Sequence, residues 1–262
     1  MRCTLCGASI GLLAWCSAAL PQRPSDREIG ALIEKSRQKA VEYTQSLPDF
    51  LATEVIHRYI GGERVNGFWP TDTLTIQVRY FQHKEDHQLV LINGKPTSRS
   101  FETLEGTIGC GEFGATLSAV FDPDSQTSFR WQSWKNVRKR RVSVIDYAVN
   151  GPYSHYHLEA GANGHTVEAD AGYHGVLEID AETGEVFRLE YVADHIPKDL
   201  HLQYAGVTVD YAPAEVGGQY YLLPSRSEMK MHTQGRWTRN VTEFREYRKF
   251  TAESSIGFDT DK

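Results

Sequence analysis

The sequence has few cysteines, and three of its four lie in the first sixteen residues. The fourth is Cys110. Once the N-terminal segment is removed, a single thiol remains, which excludes an intramolecular disulfide. We interpret Cys110 as a buried thiol, the commonest state of a free cysteine, because no histidine lies near it in sequence to act as a base.

The sequence also lacks any apolar run of the roughly 20 residues that a membrane-spanning helix needs. Residues 10–15 form a short apolar run between Arg2 and the small residue Ala19. This pattern is typical of a signal peptide. We therefore predict that residues 1–19 are a signal peptide and that residues 20–262 form a single β-rich domain, periplasmic or secreted. An alternative is a lipid anchor at Cys16, because the residues before it resemble a lipoprotein box.

Neither an excess of positive charge nor a recognisable catalytic motif is present. The formal net charge of −6 argues against a general nucleic-acid binder. There is no Gly-x-Ser-x-Gly elbow, no His-Glu-x-x-His helix and no P-loop. The glycines of residues 109–114 have dinucleotide-motif spacing but no surrounding βαβ unit, so we interpret them as a tight loop. We predict no catalytic residues, no cofactor and no enzymatic activity.

Two features suggest metal or anion binding, and each has a simpler interpretation. The histidines His155, His157, His165 and His174 lack an acidic or cysteine ligand at fixed spacing, and we interpret them as strand histidines, with no metal bound. The basic residues between Lys135 and Arg141 lie at a predicted hairpin tip. Charge exposed at a turn or edge strand explains them better than a nucleic-acid or anionic-lipid patch.

One long helix is predicted near the N-terminus of the mature chain. Ser25 and Glu28 form a capping box, and Leu47-Pro48 ends the helix. Its apolar face is predicted to contain Ile29, Leu32, Ile33, Ala40 and Val41.

From residue 50 onward the apolar residues recur with period two, which predicts strands joined by short turns and hence antiparallel pairing. A second short helix is predicted at residues 112–121. The fold class is therefore α+β: a long curved antiparallel sheet, a half-barrel, covered by the N-terminal helix and the second short helix.

The apolar face of this sheet is the predicted ligand-binding surface, because two helices cover only part of it. Its members are Leu74, Ile76, Val78, Tyr80, Leu177, Ile179, Phe187 and Leu189.

The order of a signal peptide, an amphipathic helix and a run of antiparallel strands resembles the periplasmic lipoprotein-carrier superfamily. The most family-like stretch is the hairpin at residues 176–189, with its Asp-x-x-Thr-Gly turn. Residues 111–123 and 247–254 look like segments of uncharacterised secreted proteins from acidobacterial-type genomes. The resemblance implies a half-barrel that shields acyl chains.

We therefore predict a non-catalytic envelope protein whose partner is an apolar small molecule, a lipid or a lipoprotein, with a peripheral membrane contact as an alternative. Two other functions stay open: a secreted hydrolase whose acids are dispersed over the β scaffold, and a structural or interaction module. Pocket chemistry distinguishes them, because an apolar lining favours a carrier, and converging carboxylates or an acid-held histidine favour an enzyme.

Overall fold

The computed structural model describes residues 22–63, 67–100, 104, 113–162 and 165–250. The predicted signal peptide, Cys16, Cys110 and Glu112 lie outside these residues. The elements in chain order are α1 (Asp26–Ser46), β1 (Phe50–Gly61), β2 (Trp69–Phe81), β3 (Lys84–Ile92), β4 (Lys95–Pro96), α2 (Ala115–Phe121), β5 (Ser128–Val137), β6 (Arg140–Val149), β7 (Tyr156–Ala162), β8 (His165–Asp180), β9 (Val186–Asp194), β10 (Leu202–Val216), β11 (Gln219–Thr233) and β12 (Arg236–Lys249).

The strands form one open sheet in the order β4-β3-β2-β1-β12-β11-β10-β9-β8-β6-β5, with β7 paired to β8 beside this path. Every pairing is antiparallel, and nearly all join neighbours in sequence. There are two exceptions: β6 pairs with β8, because β7 lies off the main path, and β1 pairs with β12 from Phe50 opposite Lys249 to Gly61 opposite Trp237. The predicted α+β fold, a long antiparallel sheet with two helices, is confirmed.

Helix α1 begins with the predicted capping box. The backbone N–H of Ser25 donates to the Glu28 carboxylate at 2.7 Å, and the Glu28 N–H donates to the Ser25 hydroxyl at 3.3 Å. Ile33 and Ala40 are buried as predicted, but Val41 is 48% exposed. The prediction for Val41 was wrong because each residue turns the helix by about 100°, which places Val41 outside the stripe around Ala40.

Helix α2 is shorter than the predicted second helix and begins at Ala115. It ends at Asp122, whose side chain accepts a bond from the Asp124 N–H and opens a short 3-10 turn with Pro123. Leu117, Val120 and Phe121 are buried and pack on the same side of the sheet as α1. Among the described residues, neither helix combines the length and hydropathy needed to cross a bilayer.

The core is divided along the sheet. One cluster joins both helices to β6, β8, β9 and β10, and includes Ile145, Leu177 and Leu189. A second lies over β1, β2 and β3, and is closed by the aromatic ring of Phe113. The two clusters meet beneath the C-terminal half of α1.

The turn between β8 and β9 holds α1 in place. The Asp180 carboxylate accepts bonds from the Glu182 and Thr183 N–H groups at 2.9 and 2.7 Å, which closes the predicted Asp-x-x-Thr-Gly turn. Gly184 has a φ of +78°, and a Cβ there would lie 2.9 Å from Cγ of Lys35 on α1. Glycine therefore satisfies both the turn and the close approach of the helix. Lys35 donates from its ammonium group to the Glu182 carbonyl.

Candidate ligand-binding groove

The eight residues predicted to bind the ligand are all buried, with exposed fractions between 0 and 7%. Leu74, Ile76, Val78 and Tyr80 belong to the cluster over β1 to β3. Leu177, Ile179 and Leu189 belong to the cluster beneath the helices. In this ligand-free structure they form a packed floor, and of the cavities described here only the one beside Tyr80 touches them. Their role in ligand binding stays a prediction.

Phe187 does not share the face of its predicted companions in the helix-covered cluster. A register shift between Glu178 and Ile179 places Val186 opposite Ile179, and Val186 joins that cluster. Phe187 instead lies beneath the guanidinium of Arg140, 5.8 Å from the ring centre. Period-two alternation does not predict the face of Phe187, because a β-bulge adds one residue to the strand and moves that side chain to the other face of the sheet.

The open space lies at one end of this packed floor, between the N-terminal half of α1 and the β5–β6 hairpin. This groove has a volume of about 760 Å³. Ile29 and Leu32 of α1 form one wall and are half-buried, and Trp134 of β5 forms the other. The other lining residues are Gln22, Arg23, Pro24, Ser25, Glu28, Ala31, Lys35, Arg141, Ser143 and Ala181.

Small side chains beneath α1 account for the groove. Along β6, residues on the face beneath α1 become larger in the order Ser143, Ile145, Tyr147. Ile145 and Tyr147 fill the space under the helix, whereas Ser143 leaves it empty. At the same end, the turn after β8 contributes only the methyl group of Ala181. The groove therefore exists because two small residues, Ser143 and Ala181, lie opposite the apolar face of the helix.

Arg141 is the cation most available to a ligand in this groove. Its guanidinium lies over the ring of Trp134, 3.8 Å from the ring centre, and within the described chain it makes no ion pair. Trp134 is itself fixed, since its indole N–H donates to the Gln22 carbonyl at 3.1 Å. The other two cations have partners: Arg23 lies 3.6 Å from Asp26, and Lys35 donates to a carbonyl.

Glu28 is the one acidic side chain in the groove lining, and it is already engaged. Hydrogen bonds from the Ser25 hydroxyl and then the Ser25 backbone lower the pKa of its carboxyl, and the nearby charge of Arg141 lowers it further. Three cations therefore face one carboxylate, which gives the groove a positive electrostatic balance.

Ser143 adds an unsatisfied polar atom to the groove floor. The residue is fully buried, and its hydroxyl has no hydrogen-bond partner among the described residues. Buried hydroxyl groups are normally paired, and an unpaired one costs about 1–3 kcal/mol. An unpaired hydroxyl on the floor of an open groove is the feature expected of a position that a ligand atom satisfies.

A different polar cluster lies on the β1–β3 part of the sheet. His87 Nε2 is 3.5 Å from the buried Glu54 carboxylate and 3.9 Å from that of Glu85. A cavity of about 310 Å³ beside it is lined by Tyr80, His83 and Phe113, among others. This acid-held histidine is the arrangement that the hydrolase alternative requires, and sequence reasoning missed it because the three residues come from three strand positions with no shared motif.

Two of the four histidines considered for metal binding pair with carboxylates. His157 pairs with Asp170 at 3.1 Å, and His174 pairs with Asp194 at 2.7 Å. The side chain of His165 lies outside the description, and His155 is exposed. Over the residues that the structure covers, no group of three or more potential ligands is placed to hold a metal ion.

The fold and the groove together define a class: an open antiparallel sheet carrying helices on one face, with a mixed apolar and cationic cleft at one end. No family model and no curated protein matches the chain. Solved structures to which it is similar include a LolA superfamily protein from Nitrosomonas europaea, at 10% identity and a TM-score of 0.39, covering 85% of this chain and 93% of that one.

Two further structures are similar over most of their length. A DUF1329 family protein from Desulfovibrio piger shares 11% identity, with a TM-score of 0.42 and coverage of 87% of this chain and 95% of that one. A putative outer membrane lipoprotein-sorting protein domain from Vibrio parahaemolyticus shares 12%, with a TM-score of 0.34 and coverage of 81% and 90%. The descriptions of these structures assign no role to any residue of the groove.

Proposed function

We propose that this protein is an exported, non-catalytic envelope protein that binds a ligand with an apolar chain in the groove between α1 and the β5–β6 hairpin. The observation that carries the proposal is the groove itself: about 760 Å³, walled by Ile29, Leu32 and Trp134. Ligand pockets of proteins typically have volumes of about 300–1,000 Å³ and combine an apolar lining with a few polar groups. The export part of the proposal rests on the signal-peptide pattern of residues 1–19.

The half-buried state of Ile29 and Leu32 supports binding at this place. Both side chains pack partly against the core cluster and partly face the groove. An apolar chain lying in the groove removes the remaining surface of these residues from water, and each Å² of apolar surface buried contributes about 25 cal/mol.

Titration with the neutral apolar dye N-phenyl-1-naphthylamine tests the proposal. We expect near-stoichiometric binding to the wild type and at least a tenfold weaker affinity in Leu32→Asp, because a carboxylate on the wall must be desolvated by an apolar guest. Trp134→Ala, which leaves the helix untouched, should also weaken binding. The control is Val41→Asp on the same helix, where the side chain is 48% exposed and faces away.

Two results would overturn the proposal. One is a wild type that does not bind the dye. The other is equal weakening in folded Leu32→Asp and Val41→Asp, which would place the dye outside the groove.

The non-catalytic part is tested at His87, the histidine held by Glu54 and Glu85. We expect no hydrolysis of p-nitrophenyl butyrate above the buffer rate in the wild type. Turnover in the wild type that disappears in a folded His87→Gln variant would instead establish the hydrolase alternative. Dye binding measured on the same variant separates loss of chemistry from loss of the fold.

A further inference from the structure

We infer that the ligand of this groove is a long-chain fatty acid, whose carboxylate is received by Arg141 and Ser143. The inference rests on the proposed function, since it names the polar end of the ligand whose apolar chain the groove accepts. It starts from two side chains at one place on β6. The hydroxyl of Ser143 has no partner among the described residues, and the exposed guanidinium of Arg141 stacks on Trp134 near Glu28.

These two donors lie on the same face of β6, two residues apart. Two residues along a strand span about 7 Å. A carboxylate has two oxygens, and each accepts a charge-assisted hydrogen bond of about 2.8 Å, so one carboxylate offers an acceptor to each of the two side chains. The stacking of Arg141 on Trp134 directs the cation toward the groove and places an apolar ring beside the position where the acyl chain begins.

The charge balance of the groove favours a carboxylate over a phosphate. Lys35 is committed to the Glu182 carbonyl, Arg23 lies beside Asp26, and Glu28 opposes additional negative charge. With Asp26 offsetting Arg23 and Glu28 offsetting a second cation, the groove keeps one net positive charge, which matches a single carboxylate. A phosphate monoester carries a charge of about −1.5 to −2 on three oxygens and needs more donors than the groove offers.

The ligand needs a chain as well as a charge, because the apolar walls of Ile29, Leu32 and Trp134 gain free energy only from apolar atoms. The Ser143 oxygen is covered by protein atoms, so a carboxylate reaches it when this side chain turns toward the groove. Acetate and other short acids lack the apolar atoms and should bind weakly or not at all.

Calorimetric titration of the full-length protein with laurate, dodecanol and dodecyl phosphate at pH 8 tests the inference. We expect laurate to bind about tenfold more tightly than dodecanol, because hydrogen bonds to charged groups contribute more than neutral ones. Arg141→Gln should reduce this preference about fivefold, and Ser143→Ala should reduce it to a similar extent.

Lys139→Gln is the matched control. It removes one positive charge from the exposed tip of the same hairpin, at a residue outside the groove lining. We expect it to leave the preference for laurate unchanged, which separates a specific partner from the general charge of the hairpin.

The outcomes distinguish this inference from the proposed function. If laurate and dodecanol bind equally well to the wild type, or if Arg141→Gln keeps the full preference, the carboxylate site is refuted while apolar binding stands. Tighter binding of dodecyl phosphate than of laurate would refute the choice of a carboxylate. If none of the three amphiphiles binds, the proposed function itself fails.

Discussion

The two halves of α1 meet the sheet in different ways, although the same apolar spacing runs through both. Beneath the C-terminal half, Tyr43 contacts Tyr211 edge-to-face at 6.3 Å, Leu117 of α2 is buried, and the cavity measures only about 180 Å³. Beneath the N-terminal half, Leu32 is half-buried over a groove of about 760 Å³. The difference comes from the residues opposite the helix, which are large and aromatic at the closed end and small at the open end.

This comparison separates stability from binding along a single helix. The closed end contributes most of the packing that holds α1 on the sheet. Each end has a buried hydroxyl without a partner among the described residues, Tyr43 at the closed end and Ser143 at the open end. The open end also keeps space and a cation, Arg141, that makes no ion pair within the described chain, and neither feature adds to stability. Substitutions at the closed end should therefore affect unfolding, and substitutions at the open end should affect ligand affinity.

The largest expected effect is the contrast between two leucine-to-alanine substitutions. Leu117→Ala at the closed end should lower the free energy of unfolding by about 2–4 kcal/mol, because it leaves a cavity in a packed region. Leu32→Ala should lower it by less than about 1.5 kcal/mol, because part of this side chain is already exposed. Urea denaturation measures both. Equal losses in the two variants would mean that the ends of α1 do not differ in packing.

A smaller effect, on the free energy of unfolding at alkaline pH, is expected at the closed end. Burial raises the pKa of the Tyr43 hydroxyl well above its usual value. A raised folded-state pKa gives stability that is fully present below about pH 10 and is lost as the pH rises further, because the unfolded chain releases the proton first. Tyr43→Phe should therefore reduce the slope of this loss by up to about 1.4 kcal/mol per pH unit.

Thermal unfolding between pH 9 and pH 11 measures this slope. The control is Tyr220→Phe in the neighbouring hairpin, where the ring is 73% exposed. We expect the control to follow the wild type. A Tyr43→Phe curve parallel to that of the wild type would show that the closed end admits water.

The smallest effect is expected at the groove floor. Ser143→Ala removes a buried hydroxyl that has no partner in the described structure. We expect the free energy of unfolding to stay the same or to rise by up to about 1 kcal/mol, because the cost of burying that group disappears. A loss of more than 1 kcal/mol in urea denaturation would show that the hydroxyl is already satisfied, and would weaken the case for a ligand atom at this position.

Much of the fold was predictable because local patterns determine it. The capping box of Ser25 and Glu28 and the strands around Ile76 and Leu177 depend on neighbouring residues only. The exceptions have local physical causes: Val41 turns out of the helix stripe, and Phe187 is displaced by a bulge.

The groove was not predictable in the same way. Trp134 and the Gln22 carbonyl are 112 residues apart in sequence, and their contact arises only when the β5–β6 hairpin lies beside the start of α1. The interpretation of the basic hairpin as exposed charge fits Lys135 and Arg140, which pair with Glu178 and Asp180 at 2.7 and 2.8 Å. Arg141 is exposed as well, but alternation places its side chain on the face that lines the groove. The pattern of charges alone did not distinguish these positions.

The place of β12 in the sheet has a consequence for biogenesis. The block of β1 to β4 is joined to the rest of the sheet through β12, the last strand of the described chain. While the polypeptide is still emerging during synthesis or export, β1 therefore has an unpaired edge with no partner yet available. Pairing between such distant segments is slow, since the connecting chain must first be ordered. An unpaired edge attracts other chains, so β1 is open to aggregation until β12 has paired with it.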